Sequence, residues 1–165
     1  MNKKTRILVI ATAILLLIAV MLTPAEKPPD LSEPVKVLRV IDGDTIEIEN
    51  DITVRMIGID TPESVHPDEN KNTEYGKIAS EYTGELLAGK AVQLEYDTEL
   101  TDTYGRTLAY VYLDGEMVNE LLLQKGLAKT MTIPPNTKYV DRFSAAEQEA
   151  SRNAYGFWSS YFKDN

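Results

Sequence analysis

Ile46 and Ile48 alternate with Thr45, Glu47 and Glu49, and shortly afterwards Ile52, Val54 and Met56 alternate with Thr53 and Arg55. A period of two puts successive side chains on opposite faces of a strand. Asn50-Asp51 reads as the turn between these runs, and the β-branched stretch Val35 to Ile41 precedes them. Together they predict a three-stranded antiparallel meander. From Glu74 to Leu87 the period lengthens: Tyr75, Ile78, Ala79, Tyr82 and Leu86 share one helical face, and Gly89 can end that helix. Val92, Leu94 and Tyr96 alternate as a fourth strand; Thr107 to Leu113 forms a fifth, closed by an Asp114-Gly115 turn. Val118, Leu121 and Leu122 mark a short helix ending near Gly126; Val140, Phe143 and Ala150 mark a last one, with Trp158 as an anchor beyond it. The predicted fold is α+β: a small five-stranded β-barrel of OB-fold type with three helices.

Upstream the pattern is different. Lys3, Lys4 and Arg6 precede an unbroken apolar run from Ile7 to Leu22, which is the form of an export signal. The run is slightly long for a cleaved signal core and slightly short for a membrane span. Residues 1–25 are therefore read as a signal peptide or an N-terminal membrane anchor, with membrane attachment through residues 7–22 in the second case. In both cases the rest of the chain is expected outside the cell, secreted or held on the outer face of the membrane. Pro24, Pro28, Pro29 and Pro34 make residues 26–34 an extended linker, and residues 35–163 form the folded domain, expected to be monomeric.

Composition narrows the chemistry. The 165 residues include no cysteine and a single histidine, His66. Thiolate metal sites, zinc sites built from several imidazoles and two-histidine catalysis are excluded. Acids outnumber bases 26 to 17, for a net charge of −9. Proteins that grip nucleic acid along its length carry basic surfaces, so a nucleic-acid function here has to rest on a local site.

Three segments supply one. Asp42-Gly43-Asp44-Thr45 lies between the first two strands; Asp-Gly is a hairpin signal, which leaves Asp44 unexplained. Arg55 is followed by Asp60-Thr61-Pro62-Glu63, whose spacing also suits a helix cap. Asp102-Thr103-Tyr104-Gly105-Arg106 enters the fifth strand and reads equally well as a glycine turn with a surface arginine. Taken together they give aspartates, a glutamate and arginines at strand ends. Carboxylate oxygens suit a hard cation such as calcium. Arginines bind phosphate oxygens in bidentate fashion. A glutamate beside a water can act as general base.

The ordered set of motifs resembles the staphylococcal nuclease (thermonuclease) family from Val37 to Trp158. The matching stretches are Val40 to Thr45, Arg55 with Ile59 to Glu63, Tyr104-Gly105-Arg106 with Leu108-Ala109-Tyr110, Met117 to Glu120, Gly126 to Lys129, and Trp158-Ser159. The resemblance implies a calcium-dependent nuclease acting on DNA and RNA. Asp44 and Asp60 would ligate Ca2+ through their carboxylates and Thr61 through its carbonyl. Glu63 would orient or deprotonate the attacking water. Arg55 and Arg106 would bind the scissile phosphate and stabilise the transition state, and Tyr104 would touch a neighbouring phosphate. Similar enzymes break the 5′ P–O bond and leave 3′-phosphates.

Two departures stand out. A lysine common in the family before Tyr-Gly-Arg is Thr103 here, and two tyrosines of the nucleotide pocket are replaced within Thr130-Met131-Thr132-Ile133. The substrate rim is therefore expected to be thinner, with the catalytic set intact. The alternatives are a non-catalytic nuclease-like binding module on the cell surface and a calcium-binding surface protein. Neither has a chemical need for the paired arginines.

Overall fold

The computed structural model describes residues 30–64 and 73–161. The amino-terminal apolar run, residues 26–29 of the linker and His66 lie outside these residues.

Among the described residues there are eight strands: β1 (Val35–Asp42), β2 (Thr45–Ile48), β3 (Ile52–Met56), β4 (Gly58–Asp60), β5 (Ala91–Glu95), β6 (Thr107–Leu113), β7 (Glu116–Met117) and β8 (Lys129–Met131). The helices among the described residues are α1 (Glu74–Leu87), α2 (Val118–Gln124) and α3 (Val140–Arg152), with a final single turn α4 (Trp158–Tyr161). The sheet runs β3-β2-β1-β5-β6, and β3 pairs in parallel with β6. That pairing closes a five-stranded barrel, the predicted architecture. Register shifts in β1 between Val37 and Arg39 and between Val40 and Asp42 bend the strand so that it serves β2 along its length and β5 at its start.

The alternating pattern fills the barrel. Val37, Ile46, Ile48, Val54, Met56, Val92 and Leu94 point inward and are buried. Each such side chain withdrawn from water stabilises the fold by about 1.5–3 kcal/mol before entropy is counted. Strand β6 buries Ala109, Tyr110, Val111 and Tyr112 in succession, because its outer face is covered as well: Tyr110 meets Tyr139 and Phe143 edge-on. Asn119 on α2 is fully buried and doubly satisfied, accepting from the Val111 N–H and donating to the Ile57 carbonyl. It ties the helix to two barrel segments at once. The buried Glu95 carboxylate accepts the hydroxyls of Tyr112 and Tyr139 and pairs with Lys138, fixing the start of α3 to the barrel.

Several local expectations change. The fourth strand ends at Glu95, leaving Tyr96 exposed. On α1 the buried positions are Gly76, Ala79, Thr83 and Leu87, while Ile78 is exposed. Small side chains face the barrel there because the helix approaches it closely. Among the described residues Asp60 and Glu63 cap no helix: α1 begins at Glu74, and the Thr73 side chain accepts from the Gly76 N–H. The short β4–β8 ribbon escapes the sequence pattern. At the other end of the domain, the chain is already joined to β5 at Ser32, whose N–H donates to the Leu94 carbonyl and whose hydroxyl accepts from the Leu94 N–H.

Candidate active site

Gly43 and Asp44 form the two-residue turn between β1 and β2, whose strands close through the Asp42–Thr45 pair. The turn is held from below by α1, where the buried Thr83 hydroxyl donates to the Gly43 carbonyl at 2.8 Å. This fixes Asp44, only 4% exposed. Its Oδ2 accepts from the Thr61 N–H at 2.8 Å and the Thr61 hydroxyl at 3.1 Å, and its Oδ1 accepts from the Thr45 hydroxyl. A hairpin tip thus carries a buried carboxylate, which the Asp-Gly turn signal alone does not suggest.

Arg55 projects from β3 directly across from Thr45. It is not the solvated arginine that its position on the outward face suggests, since its side chain is 13% exposed. Nη1 donates to the carbonyls of Met56 and Ile59 at 3.0 and 2.8 Å. Nη2 lies 3.1 Å from Asp44 Oδ2 and 2.9 Å from Asp60 Oδ1. The guanidinium therefore bridges two carboxylates and anchors the β3–β4 bend with its other edge. These two carboxylate oxygens, both in contact with one nitrogen, lie within 6.0 Å of each other.

Asp60 ends β4 and is more open than Asp44. Partial burial pushes its carboxyl above the ordinary aspartate range; Arg55 opposes this, while Asp44 and Asp42 add to it. Thr61 and Glu63 follow in the connecting loop. The loop is braced by α1: the Thr73 N–H donates to the Glu63 carbonyl at 2.9 Å, and a Cβ at Gly76 would stand 2.1 Å from that same oxygen. Only a glycine lets the first turn of α1 pack this tightly on the backbone of Glu63.

Arg106 arrives from a separate loop. Asp102 Oδ1 accepts the N–H groups of both Tyr104 and Arg106, and its Oδ2 takes the Arg106 Nε at 2.7 Å. Burial raises the Asp102 carboxyl, but these hydrogen bonds outweigh it and hold the group below the ordinary range. Asp102 is thus a charged brace for Arg106. Tyr104 stands 85% exposed, its ring 5.5 Å from the Arg106 guanidinium carbon.

Asp44, Arg55, Asp60, Thr61, Glu63 and Arg106 all line one cleft of about 440 Å³, with Asp42 beside them. Asp42 is the residue that sequence reasoning spent on the turn. Its Oδ1 accepts from the Gly43 N–H and the Ser64 hydroxyl, and its carboxylate adds to the field at Asp60. A second, more apolar pocket of about 300 Å³ adjoins the cleft across Arg55, Arg106 and Met131; Thr103, Tyr104, Leu108 and Ile133 line it. Tyr104 belongs to this pocket rather than to the carboxylate cleft.

The donor set suits a hard divalent cation: two carboxylates close together, Thr61 against one of them, and no cysteine. Among the described residues no three His, Cys, Asp or Glu side chains gather to hold a metal, so a cation here would need backbone oxygen and water as well. Two guanidiniums border the same space, which gives it the means to bind a phosphate.

Comparison with known proteins places the chain among relatives. The model of the staphylococcal nuclease homologue family matches residues 53–160. The chain is similar to a thermonuclease of Staphylococcus hyicus, 47% identical over 128 residues that cover 76% of this chain and 75% of the relative. A thermonuclease of Staphylococcus intermedius is 48% identical over 125 residues, 74% of each chain. Endonuclease YncB of Bacillus subtilis is 43% identical over 143 residues, 83% of this chain and 67% of the relative.

Proposed function

Because the chain belongs to the staphylococcal nuclease family, we propose that it is a calcium-dependent nuclease that hydrolyses phosphodiester bonds of DNA and RNA and leaves 3′-phosphate ends. The observation that carries this reading is the convergence of Asp44, Arg55, Asp60, Glu63 and Arg106, from separate segments, on one cleft. Asp44, Asp60 and the Thr61 carbonyl are the groups that would hold Ca2+. When bound, the ion would neutralise charge on the phosphate and lower the pKa of a nearby water.

The chain's own groups account for the rest. Glu63, in the loop braced by α1, takes the proton of the attacking water. Arg55 and Arg106 bind the phosphate from two sides. They stabilise the charge that develops as the phosphorus becomes five-coordinate, where fixed donors in a partly dry cleft act most strongly. Both guanidiniums are held in advance, Arg55 by two carbonyls and Arg106 by Asp102, so little reorganisation is needed when charge appears. Tyr104 supports a flanking nucleotide at the mouth of the neighbouring pocket.

We further propose that the enzyme works outside the cell as a monomer, exported through residues 1–25 and either released or tethered by residues 7–22. Fractionation of cells into membrane and medium, with mass analysis of the recovered amino terminus, distinguishes these fates.

The chemical reading is tested on plasmid DNA and on RNA with calcium, magnesium or chelator. Magnesium demands near-octahedral geometry and keeps its waters, so degradation should require calcium and be weak in magnesium. Product ends should resist polymerase extension until treated with a 3′-phosphatase. Equal rates in both metals, or directly extendable ends, contradict it.

A further inference from the structure

The ribbon of β4 and β8 carries Asp60 on one strand and Met131, which lines both pockets, on the other. Each strand has three residues, and an isolated two-stranded pair is marginal in water. Its support comes from outside. At the middle pair, Ile59 opposite Thr130, the Ile59 carbonyl accepts from Arg55 Nη1 at 2.8 Å. The Thr130 N–H donates to Glu147 Oε1 at 3.1 Å, and the Thr130 hydroxyl donates to Glu147 Oε2 at 2.7 Å. Arg55 thus holds β4 and Glu147 holds β8, each through the middle residue of its strand.

Glu147 reaches the ribbon from a firm base. It lies on α3, four residues after Phe143, so the two side chains share one helical face. A Cβ at Gly58 would stand 2.6 Å from the Phe143 ring, so the backbone of β4 rests directly on that ring. Successive turns of one helix therefore meet both strands, Phe143 against β4 and Glu147 on β8. The helix is itself fixed: its start is tied through the Tyr139 hydroxyl to the buried Glu95 carboxylate, and Phe143 is buried against Tyr110. A carboxylate offers two acceptor oxygens in one plane, which matches the N–H and the hydroxyl of a single threonine.

We infer that Glu147 is a positioning residue for the cleft: its carboxylate clamps β8 at Thr130 and, through the ribbon, sets where Asp60 stands. Glu147 does not line the cleft; it acts through Thr130 and the pairing of β8 with β4. The inference rests on the assignment of Asp60 as a calcium ligand. When the clamp is lost the ribbon gains freedom, and ordering it again as the ion binds lowers the affinity.

Calorimetric titration of the full chain with calcium, without substrate and well below the unfolding temperature, tests this. Glu147→Ala should weaken calcium binding about fivefold, less than the roughly 10–100-fold lost with a group bonded directly to a metal ligand. Glu147→Gln removes the same negative charge but keeps an acceptor for the N–H and a donor for the hydroxyl oxygen, so its affinity should stay within about twofold of the unmutated protein. Glutamine as weak as alanine would show that only charge matters. Unchanged affinity in Glu147→Ala would show that the clamp does not reach Asp60. Either result overturns the inference. Should Glu147→Ala fail to fold, Thr130→Val decides, because it keeps the charge and a strand-forming shape and loses only the hydroxyl bond. It should weaken calcium binding about threefold, and unchanged affinity overturns the inference. Calcium binding by the unmutated protein separates this from the underlying reading: if that protein binds no calcium, the ligand assignment fails and the inference falls with it.

Discussion

The Arg55 guanidinium lies 3.1 Å from the buried Asp44 carboxylate, across two strands held together by the Thr45–Arg55 pairing. The same side chain also serves Asp60 and two carbonyls. A lysine carries the charge but cannot reproduce this planar fork. Arg55→Lys is therefore expected to lower kcat by about a hundredfold or more, as when a fixed donor to developing charge is lost. It should also reduce stability by about 1–3 kcal/mol, because buried acceptors lose their partner. Steady-state kinetics and urea unfolding measure the two effects. A lysine variant with unaltered kcat would show that charge suffices and that the fork is only structural.

Gly76→Ala isolates the support of Glu63. Alanine is the better helix former by about 1 kcal/mol, so propensity alone favours the variant. The new methyl would meet the Glu63 and Pro62 carbonyl oxygens at 2.1 and 2.6 Å, and backbone has to move. A lower Tm together with a lower kcat is expected. A raised Tm with unchanged kcat would mean that the Glu63 loop does not depend on this contact.

Much of the fold was legible because the barrel is built from alternation. Ile46, Ile48, Val54 and Met56 point inward as their spacing requires, and the bounds of α1 match its periodic run. The β4–β8 ribbon was not legible, since three-residue strands carry too little pattern. Ile78 misled because helix α1 packs through Gly76, Ala79 and Thr83, where close approach outranks hydrophobicity. Among the site residues, Asp44 could be flagged as unexplained by its turn. Arg55 could not be distinguished from a surface charge, because its burial comes from partners that only the fold brings together. Asp42 was hidden because the Asp-Gly signal put it in the turn, whereas it ends β1 opposite Thr45 and the turn is Gly43-Asp44.

Acid sensitivity should trace in part to Asp97. Burial raises its carboxyl, but hydrogen bonds from the Lys138 N–H, the Tyr110 hydroxyl and Thr98 outweigh that and leave it below the ordinary aspartate range. A carboxylate with a depressed folded pKa contributes stability that is present above its unfolded value, and this is lost as pH falls through the folded one. The contribution should therefore disappear below about pH 4. Asp97→Asn is expected to be less stable at neutral pH and to show a shallower loss on acidification. Urea unfolding between neutral and acid pH measures this; an acid limb as steep as that of the unmutated protein excludes Asp97 as a source.

The thinned rim should act on binding. Met131 and Ile133 line the pocket beside Tyr104, together with Thr103; Thr132, between them in sequence, is not among its lining residues. A restored aromatic ring therefore belongs at Ile133, not Thr132. Base stacking is worth about 1–3 kcal/mol and is made equally in ground and transition states. Thr103→Lys with Ile133→Tyr should lower KM several-fold on a short oligonucleotide and leave kcat nearly unchanged. A gain confined to kcat would place this rim on the transition state instead.

The cleft's chemistry is tested most directly by Glu63→Gln, which keeps size and hydrogen bonding while removing the base. Single-oligonucleotide kinetics in saturating calcium, with the fold verified by circular dichroism, should show kcat lowered at least about a hundredfold, the scale of a lost general base. KM should stay within a few-fold of the unmutated enzyme. Turnover by Glu63→Gln at the unmutated rate would contradict the assignment of this cleft as the place where water is activated.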